Sequence, residues 1–389
     1  MNPSYVKRAE SLLMDLLAIP GVSCREAAVM DYIVDRLRRA GAPAKAIRFD
    51  QAHRRSAHGG QVGNLVLKLA GTRPGPRRLL SAHVDTVPLC EGAKPVRRGR
   101  WIVPASKSTG LGADDRAGTA AILAVALEVL TQSLPHPPLT FLWTVQEELG
   151  LHGSRHAQVA LLGRPRLAFN FDGGTVDKVT MGATGGYRMT VRITGLASHA
   201  GVYPERGINA ITIASLAIAA LHGDGWLGKV EKHGRAGTSN VGVIQGGEAT
   251  NVVTPLVTIR AEARSHDPAF REQIVHAMRR AFSQAAGQIR NAAGEHGSVE
   301  FEGQADYEAF RLPDDDPSLL AAEQAVRDLG GDPLRWISNG GLDANWLTAR
   351  GIPTVTLGCG QENGHTTSER LNRAEFHRAC QVALQLSTG

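Results

Sequence analysis

The run RRLLSAHVDTV (77–87) is apolar, yet it carries a histidine and an aspartate two residues apart, His83 and Asp85. Side chains at i and i+2 of a strand project to the same side. A carboxylate there can hold one imidazole nitrogen and leave the other free to bind a metal. An isolated H-x-D also has a plainer reading, a packed core histidine with Asp85 opening the turn before Pro88. Further along come Asp114 and Asp115 in GLGADDRAG, Glu147 and Glu148 in VQEELG, Asp172 in NFDGG and His365 in GCGQENGHTTSE. Each alone has an ordinary explanation. An Asp pair at a helix start complements the helix dipole, an acid pair after a strand is commonly solvated, and loop histidines are common. As a set they form a ligand constellation, because three apolar strands end in acids or histidine and the remaining candidates lie in glycine-rich loops. Two imidazoles and three carboxylates suit two zinc-like ions, with one carboxylate bridging them. A glutamate left over beside a ligand glutamate can then take a proton from a water that the ions have acidified.

The elements that must position these residues follow from periodicity. Helical spacing predicts helices over 4–18 and 25–40, the second opening on Ser23-Cys24-Arg25-Glu26, which reads as a capping box. Strands at 64–71, 77–87, 138–148 and 166–174 alternate with an alanine-rich helix at 115–133. That alternation implies an α/β fold with a mixed, mostly parallel sheet sandwiched by helices. In such sheets functional residues collect beyond the carboxyl ends of strands. After residue 184 the pattern becomes strand 187–195, helix 207–222, strands TSNVGVIQGG and PLVTIRAEARS, helix 268–287 and strand 298–305. This βαββαβ order describes an inserted split-βαβ module. The α/β pattern resumes near 309, so the expected domains are 1–184 with 309–389, and 185–308. The helix INAITIASLAIAAL is apolar almost all round and needs cover on more than one side.

With 389 residues, 42% apolar and 21% charged, the chain is an ordinary globular protein of about two domains. Its net charge of +6 admits a nucleic-acid partner. The densest basic clusters, His53-Arg54-Arg55 and Arg97-Arg98-Gly99-Arg100, lack interleaved aromatics, so they read as solvated surface and no nucleic-acid partner is expected. Cys24, Cys90, Cys359 and Cys380 lie far apart without C-x-x-C spacing, which favours reduced thiols. The N-terminus MNPSYVKRAESLL lacks the apolar core of a signal peptide. The longest apolar run, 210–221, is too short to span a bilayer. A cytoplasmic protein with no membrane partner is expected.

Taken in order, HVDTVP, GADDRAG, EELG, FDGG, SHAG…P…GINAI and GLDAN…GCGQENGHT resemble the dinuclear zinc exopeptidases that include peptidase T, the glutamate carboxypeptidases and the aminoacylases. The likeness spans residues 8 to 380 and is nearest to the peptidase T branch. It implies that His83, Asp114 and Asp172 hold one divalent ion and that Asp114, Glu148 and His365 hold the other, Asp114 bridging. The ions are expected to be zinc, with cobalt or manganese tolerated. By the same resemblance Asp85 orients His83 and Glu147 is the general base and acid. The inserted module becomes a lid and dimerisation domain of a homodimer, whose His199 stabilises the oxyanion in the partner's site. Asn251 and Arg264 hold a substrate carboxylate. The implied activity is hydrolysis of the terminal peptide bond of short peptides by a tripeptide aminopeptidase. A carboxypeptidase or N-acyl amino acid amidohydrolase is the alternative within the same chemistry. A non-enzymatic binding protein should have lost a ligand or the base, and all six positions are intact. Two residues depart from the pattern: Arg116 stands where lysine is commoner, and Leu342 replaces a common Ser or Thr. Asp172, an aspartate where several deacylases of the family have glutamate, leans toward the peptidase branch.

Overall fold

The computed structural model describes residues 3–389. The chain forms two compact units, one running up to Ala183 and continuing through Arg311–Gly389, the other comprising Thr184–Phe310.

In the first unit four central strands run parallel in the order Leu139–Thr144, Arg78–His83, Leu167–Phe171 and Val355–Leu357. Leu65–Leu69 and Ile47–Phe49 extend the sheet antiparallel on one side. Lys178–Ala183 lies antiparallel to Val355–Leu357 on the other, with Leu334–Ser338 parallel to it. The central strands are buried almost throughout. Runs such as LTFLWT and LAFNF are therefore apolar without alternation, as a sheet covered on both faces requires. On one face the helix Ala113–Gln132 packs against Pro3–Ala18, Arg373–Thr388 and the strand Arg78–His83. Its small residues permit close approach: a Cβ on Gly118 would stand 1.9 Å from the carbonyl oxygen of Phe171. On the other face Val66, Leu79, Leu142 and Ala168 pack with Leu162, Leu347 and Ile352. Because the four central strands are parallel, the segments that follow them all leave from one edge. That edge carries the site.

The second unit is a five-stranded antiparallel sheet in the order Gly228–Lys232, Arg235–Gly246, Leu256–Ser265, Gly185–Thr194 and Ser298–Tyr307. The helices Ala210–Gly223 and Pro268–Gln288 close its core around Val191, Ile193, Ile213, Val257, Phe270 and Phe282. The expected βαββαβ order gains one strand here, Gly228–Lys232, which folds back as a hairpin on Arg235–Gly246. It pairs with only the first part of that strand. Residues 240–246 are left on an open edge, where Ile244 is half-exposed. The outer face of the apolar helix also stays uncovered, with Ile211 and Leu216 exposed.

Some expectations are corrected. The strand read over 77–87 stops at His83, and the one read over 138–148 stops at Thr144. In both, the chain turns where the site residues begin. The Ser23–Glu26 capping box does not form: helix Ala27–Arg39 has no side-chain cap. The Ser23 hydroxyl donates to Asp85 instead, and Glu26 turns inward. A small sheet of Pro95–Arg98, Trp101–Pro104, Arg370–Asn372 and Gln361–Glu362 gave no periodic signal, being too short. The four cysteines are free, and among the described residues no helix is long and apolar enough to cross a membrane.

Glu10 joins the first helix to the small sheet and the last helix. Its buried carboxylate accepts from Arg97 at 2.6 Å, from Arg373 at 3.1 Å and from His377 at 2.8 Å. Burial pushes its pKa up, but the hydrogen bonds from Arg373, Arg97 and His377 outweigh this and hold it below the ordinary 4.5. A lowered carboxyl contributes stability that is present above the unfolded pKa and lost as pH falls through the folded one. Glu10→Gln is therefore expected to cost about 1–3 kcal/mol at neutral pH in denaturant unfolding. The gap from the parent should narrow below pH 4.5; a gap that widens on acidification contradicts this assignment.

Candidate metal centre

His83 ends its strand, Glu147 and Glu148 follow Leu139–Thr144, and Asp172 follows Leu167–Phe171. His365 sits in the loop between Gln361–Glu362 and Arg370–Asn372, and Asp114 opens the helix Ala113–Gln132. Their donor atoms converge as two trios that share one member. His83, Asp114 and Asp172 offer ligand atoms within 4.8 Å of one another, as do Asp114, Glu148 and His365. The two oxygens of Asp114 divide between the histidines: Oδ1 lies 3.3 Å from His83 Nε2 and Oδ2 lies 3.4 Å from His365 Nε2. His365 Nε2 is also 2.9 Å from Glu148 Oε1. Glu147 Oε2 stands 4.0 Å from His83 Nε2, facing the first trio without joining either.

Each candidate ligand is held from behind. His83 Nδ1 lies 3.1 Å from the carbonyl oxygen of Asp85 and 3.5 Å from its carboxylate, which leaves Nε2 to face Asp114. The nearer acceptor is thus the main chain of Asp85, not its side chain. The Asp85 carboxylate accepts the amides of Glu147 at 3.0 Å and Glu148 at 3.2 Å, and the Ser23 hydroxyl at 2.7 Å. The Asp114 loop is pinned by Glu369, whose Oε2 accepts from the Leu111 and Gly112 amides at 2.7 and 2.8 Å and whose Oε1 accepts from Asp114 at 3.1 Å. Glu369 lies four residues after His365, so one buried carboxylate ties together two ligand loops. Gln361 Nε2 donates to Asp172 at 3.2 Å. Asp343 is buried below the site and accepts from the Thr144 hydroxyl.

Sequence reasoning assigned no role to Glu369, Gln361 or Asp343. All three lie inside stretches already singled out, HTTSE, GCGQENGH and GLDAN. Only the fold reveals what their side chains touch. Arg116, the residue standing in for lysine, is buried and donates to the carbonyls of Leu16, Ile19 and Gly21. Its work is to close the chain between the first two helices.

The electrostatics of the cluster call for positive charge. Burial, then repulsion from Asp114, pushes the Asp172 carboxyl up to about 7. Burial, with repulsion from Glu148, Asp172 and Asp343, raises Glu147 well above the carboxylate range despite His83. Burial disfavours charge on His83, yet Glu147, Asp114 and Asp85 outweigh it and raise the imidazole well above 6.5. Hydrogen bonds to Asp114 and Glu148 raise His365 to about 10. Carboxylates forced together in low dielectric raise one another's pKa. Two divalent cations would relieve that repulsion, and the nitrogen and oxygen donors suit zinc-like ions. The residues present fit such a pair.

The remaining expected residues lie in the second unit. His199 is exposed, and its Nδ1 accepts from the amides of Gly201 and Val202, both at 3.2 Å. That fixes the ring proton on Nε2. Arg264 gives Nε and one Nη2 proton to Glu262, each at 3.0 Å, so one edge of its fork is engaged, and among the described residues no hydrogen bond engages the Nη1 side. Asn251 is exposed beside the His199–Val252 bridge.

Residues 79–388 match the model of peptidase family M20/M25/M40. The chain is 32% identical to the uncharacterized protein YqjE of Bacillus subtilis (strain 168) over 381 residues, 98% of this chain and 97% of that one. Among solved structures it resembles a tripeptidase of Staphylococcus aureus subsp. aureus Mu50, with a TM-score of 0.86, 30% identity and 98% of both chains covered. It also resembles the aminopeptidase PepT of Bacillus cereus ATCC 10987, with a TM-score of 0.81, 30% identity and the same coverage.

Protein reconstituted with excess zinc and desalted is expected to retain two ions per chain, and His365→Ala, on an exposed loop, to retain one. Elemental analysis decides. A parent with none contradicts the assignment of both trios.

Proposed function

The chain belongs to peptidase family M20/M25/M40, and from that premise we propose that it is a dinuclear metallopeptidase that removes the N-terminal residue of tripeptides. The observation that carries the reading is Glu147: an acid outside both ligand trios, facing His83 and held beside them by Asp85. The likeness to a tripeptidase and to PepT supports the substrate class.

His83, Asp114 and Asp172 hold one ion, and Asp114, Glu148 and His365 the other. Zinc fits these donors, as do cobalt and manganese. When bound, the pair supplies Lewis acidity to the scissile carbonyl and to the attacking water. Glu147 takes the proton of that water and returns it to the leaving amine. Burial, with repulsion from neighbouring carboxylates, raises its pKa above the ordinary carboxylate value, the direction that favours accepting a proton. Asp85 keeps His83 and the Glu147 turn in register. His199, with its proton on Nε2, donates to the oxyanion. Asn251 and the free edge of Arg264 hold the C-terminal carboxylate, with Glu262 keeping the guanidinium in place. A clamp on the C-terminus makes the site a ruler, because a chain spans at most about 3.3–3.6 Å per residue.

The active form proposed is a homodimer built through the second unit, with His199 of one copy serving the other. The uncovered Ile211 and Leu216 and the open strand edge at 240–246 favour this. Four free thiols suit a reducing, cytoplasmic setting.

Glu147→Gln is expected to keep both ions and lose roughly 10²–10⁴-fold in kcat, whereas Glu148→Gln loses metal. On the metal-loaded parent, amidating the C-terminus of a tripeptide should lower kcat/KM by about tenfold or more, and Arg264→Ala should erase that preference. Equal cleavage of N-acetylated or long peptides would instead make it a carboxypeptidase or amidohydrolase.

A further inference from the structure

The turn that carries Glu147 and Glu148 has no strand partner for its backbone among the described residues. Four consecutive amides donate to side chains instead. Val145 donates to Asn64 Oδ1 at 3.1 Å, Gln146 to Glu26 Oε1 at 3.2 Å, and Glu147 and Glu148 to the two oxygens of Asp85. At its centre Gln146 has φ +55. That left-handed conformation is costly for a residue with a Cβ and persists only where the surroundings fix it.

Glu26 has no exposed surface. Its Oε1 also accepts from the Cys24 amide at 2.8 Å, while its Oε2 is buried without a partner among the described residues. Burial, with the neighbouring Asp85 charge, pushes its carboxyl up to about 7. Arg116, whose charge interacts with Glu26 and Asp85, gives its hydrogen bonds to main-chain carbonyls. A buried carboxyl with an orphaned oxygen is unfavourable in itself, so the group's significance lies in what its other oxygen holds.

We infer that Glu26 is a positioning residue for the general base: by holding the Gln146 amide it fixes the turn from which Glu147 projects. With the amides of Gln146 and Glu147 both pinned, Gln146 keeps its φ and the Glu147 carboxylate emerges toward His83. Misplacing a catalytic group by about 1 Å can cost roughly 10²-fold in rate. The inference rests on the reading of Glu147 as the base, but it concerns a residue outside the ligand trios and outside the contacts to substrate.

Two variants separate reach from charge. Glu26→Gln keeps the length and the accepting oxygen but removes the charge. Glu26→Asp keeps the charge but withdraws the oxygen by one methylene. Metal content, kcat and KM are measured for each, with amide hydrogen exchange of the 143–149 segment followed by mass spectrometry. Glu26→Gln is expected to stay within about threefold of the parent in kcat, and Glu26→Asp to lose about tenfold or more at unchanged KM and two ions per chain. The exchange rate of the segment should rise about tenfold in Glu26→Asp alone, as for one lost hydrogen bond. Loss of kcat in Gln but not Asp, or parental exchange and kcat in both, overturns the inference. The exchange arm needs no substrate. If the parent cleaved no peptide, the functional reading would fail while the hold on the turn was still decided.

Discussion

The structure is organised around a repulsion. Asp114, Asp172, Glu147 and Glu148 are brought to one edge of a buried parallel sheet with only His83 and His365 among them. In low dielectric such an arrangement is unfavourable unless protons or cations are shared within it. The raised pKa values of Asp172, Glu147, His83 and His365 express that strain as protons held too tightly. Bound metal ions would replace those protons, and the same carboxylates would become ligands.

Holding like charges together demands rigid backing, and the backing is mostly main chain gripped by buried acids. Asp85 takes two amides, Glu369 takes three and Glu26 takes two. Each accepts main-chain N–H donors, Glu26 through one oxygen only. Each connects segments distant in sequence, Glu369 linking the His365 loop to the Asp114 loop across more than 250 residues. The alanine-rich helix with Gly118 lets the Asp114 end approach the strand that carries Asp172. Fold and site are therefore one problem: the parallel sheet supplies a common edge, and the second set of acids fixes the loops that leave it.

The parallel core was legible in the sequence because strands buried on both faces read as unbroken apolar runs, and the candidate ligands stood out because each follows such a run or lies in a glycine-rich loop. What stayed hidden has a common cause. Gly228–Lys232 is mostly polar and exposed, with only Val230 buried, and Arg370–Asn372 has three residues, so neither shows a period. Strand ends were overextended because site residues continue the apolar run past the last ladder bond. Glu26 was misread because S-x-x-E is a local pattern, whereas its partner, the Gln146 amide, lies 120 residues away. Asp85 lies beside His83, with its main-chain carbonyl oxygen nearer the ring than its carboxylate. The larger use of its carboxylate, on the Glu147 and Glu148 amides, has no sequence signature.

The central claim, that the clustered acids and imidazoles hold protons which metal ions displace, can be read directly as proton release. Zinc binding to metal-free protein near neutral pH is followed by calorimetry in buffers of different ionisation enthalpy. The slope gives protons released per chain. His83 and His365 must both lose a proton to ligate, and Asp172 titrates at about 7, so two or more protons should leave as the ions bind. Zinc binding with no net proton release would mean that the metal sits elsewhere and that the cluster at the sheet edge is not its site.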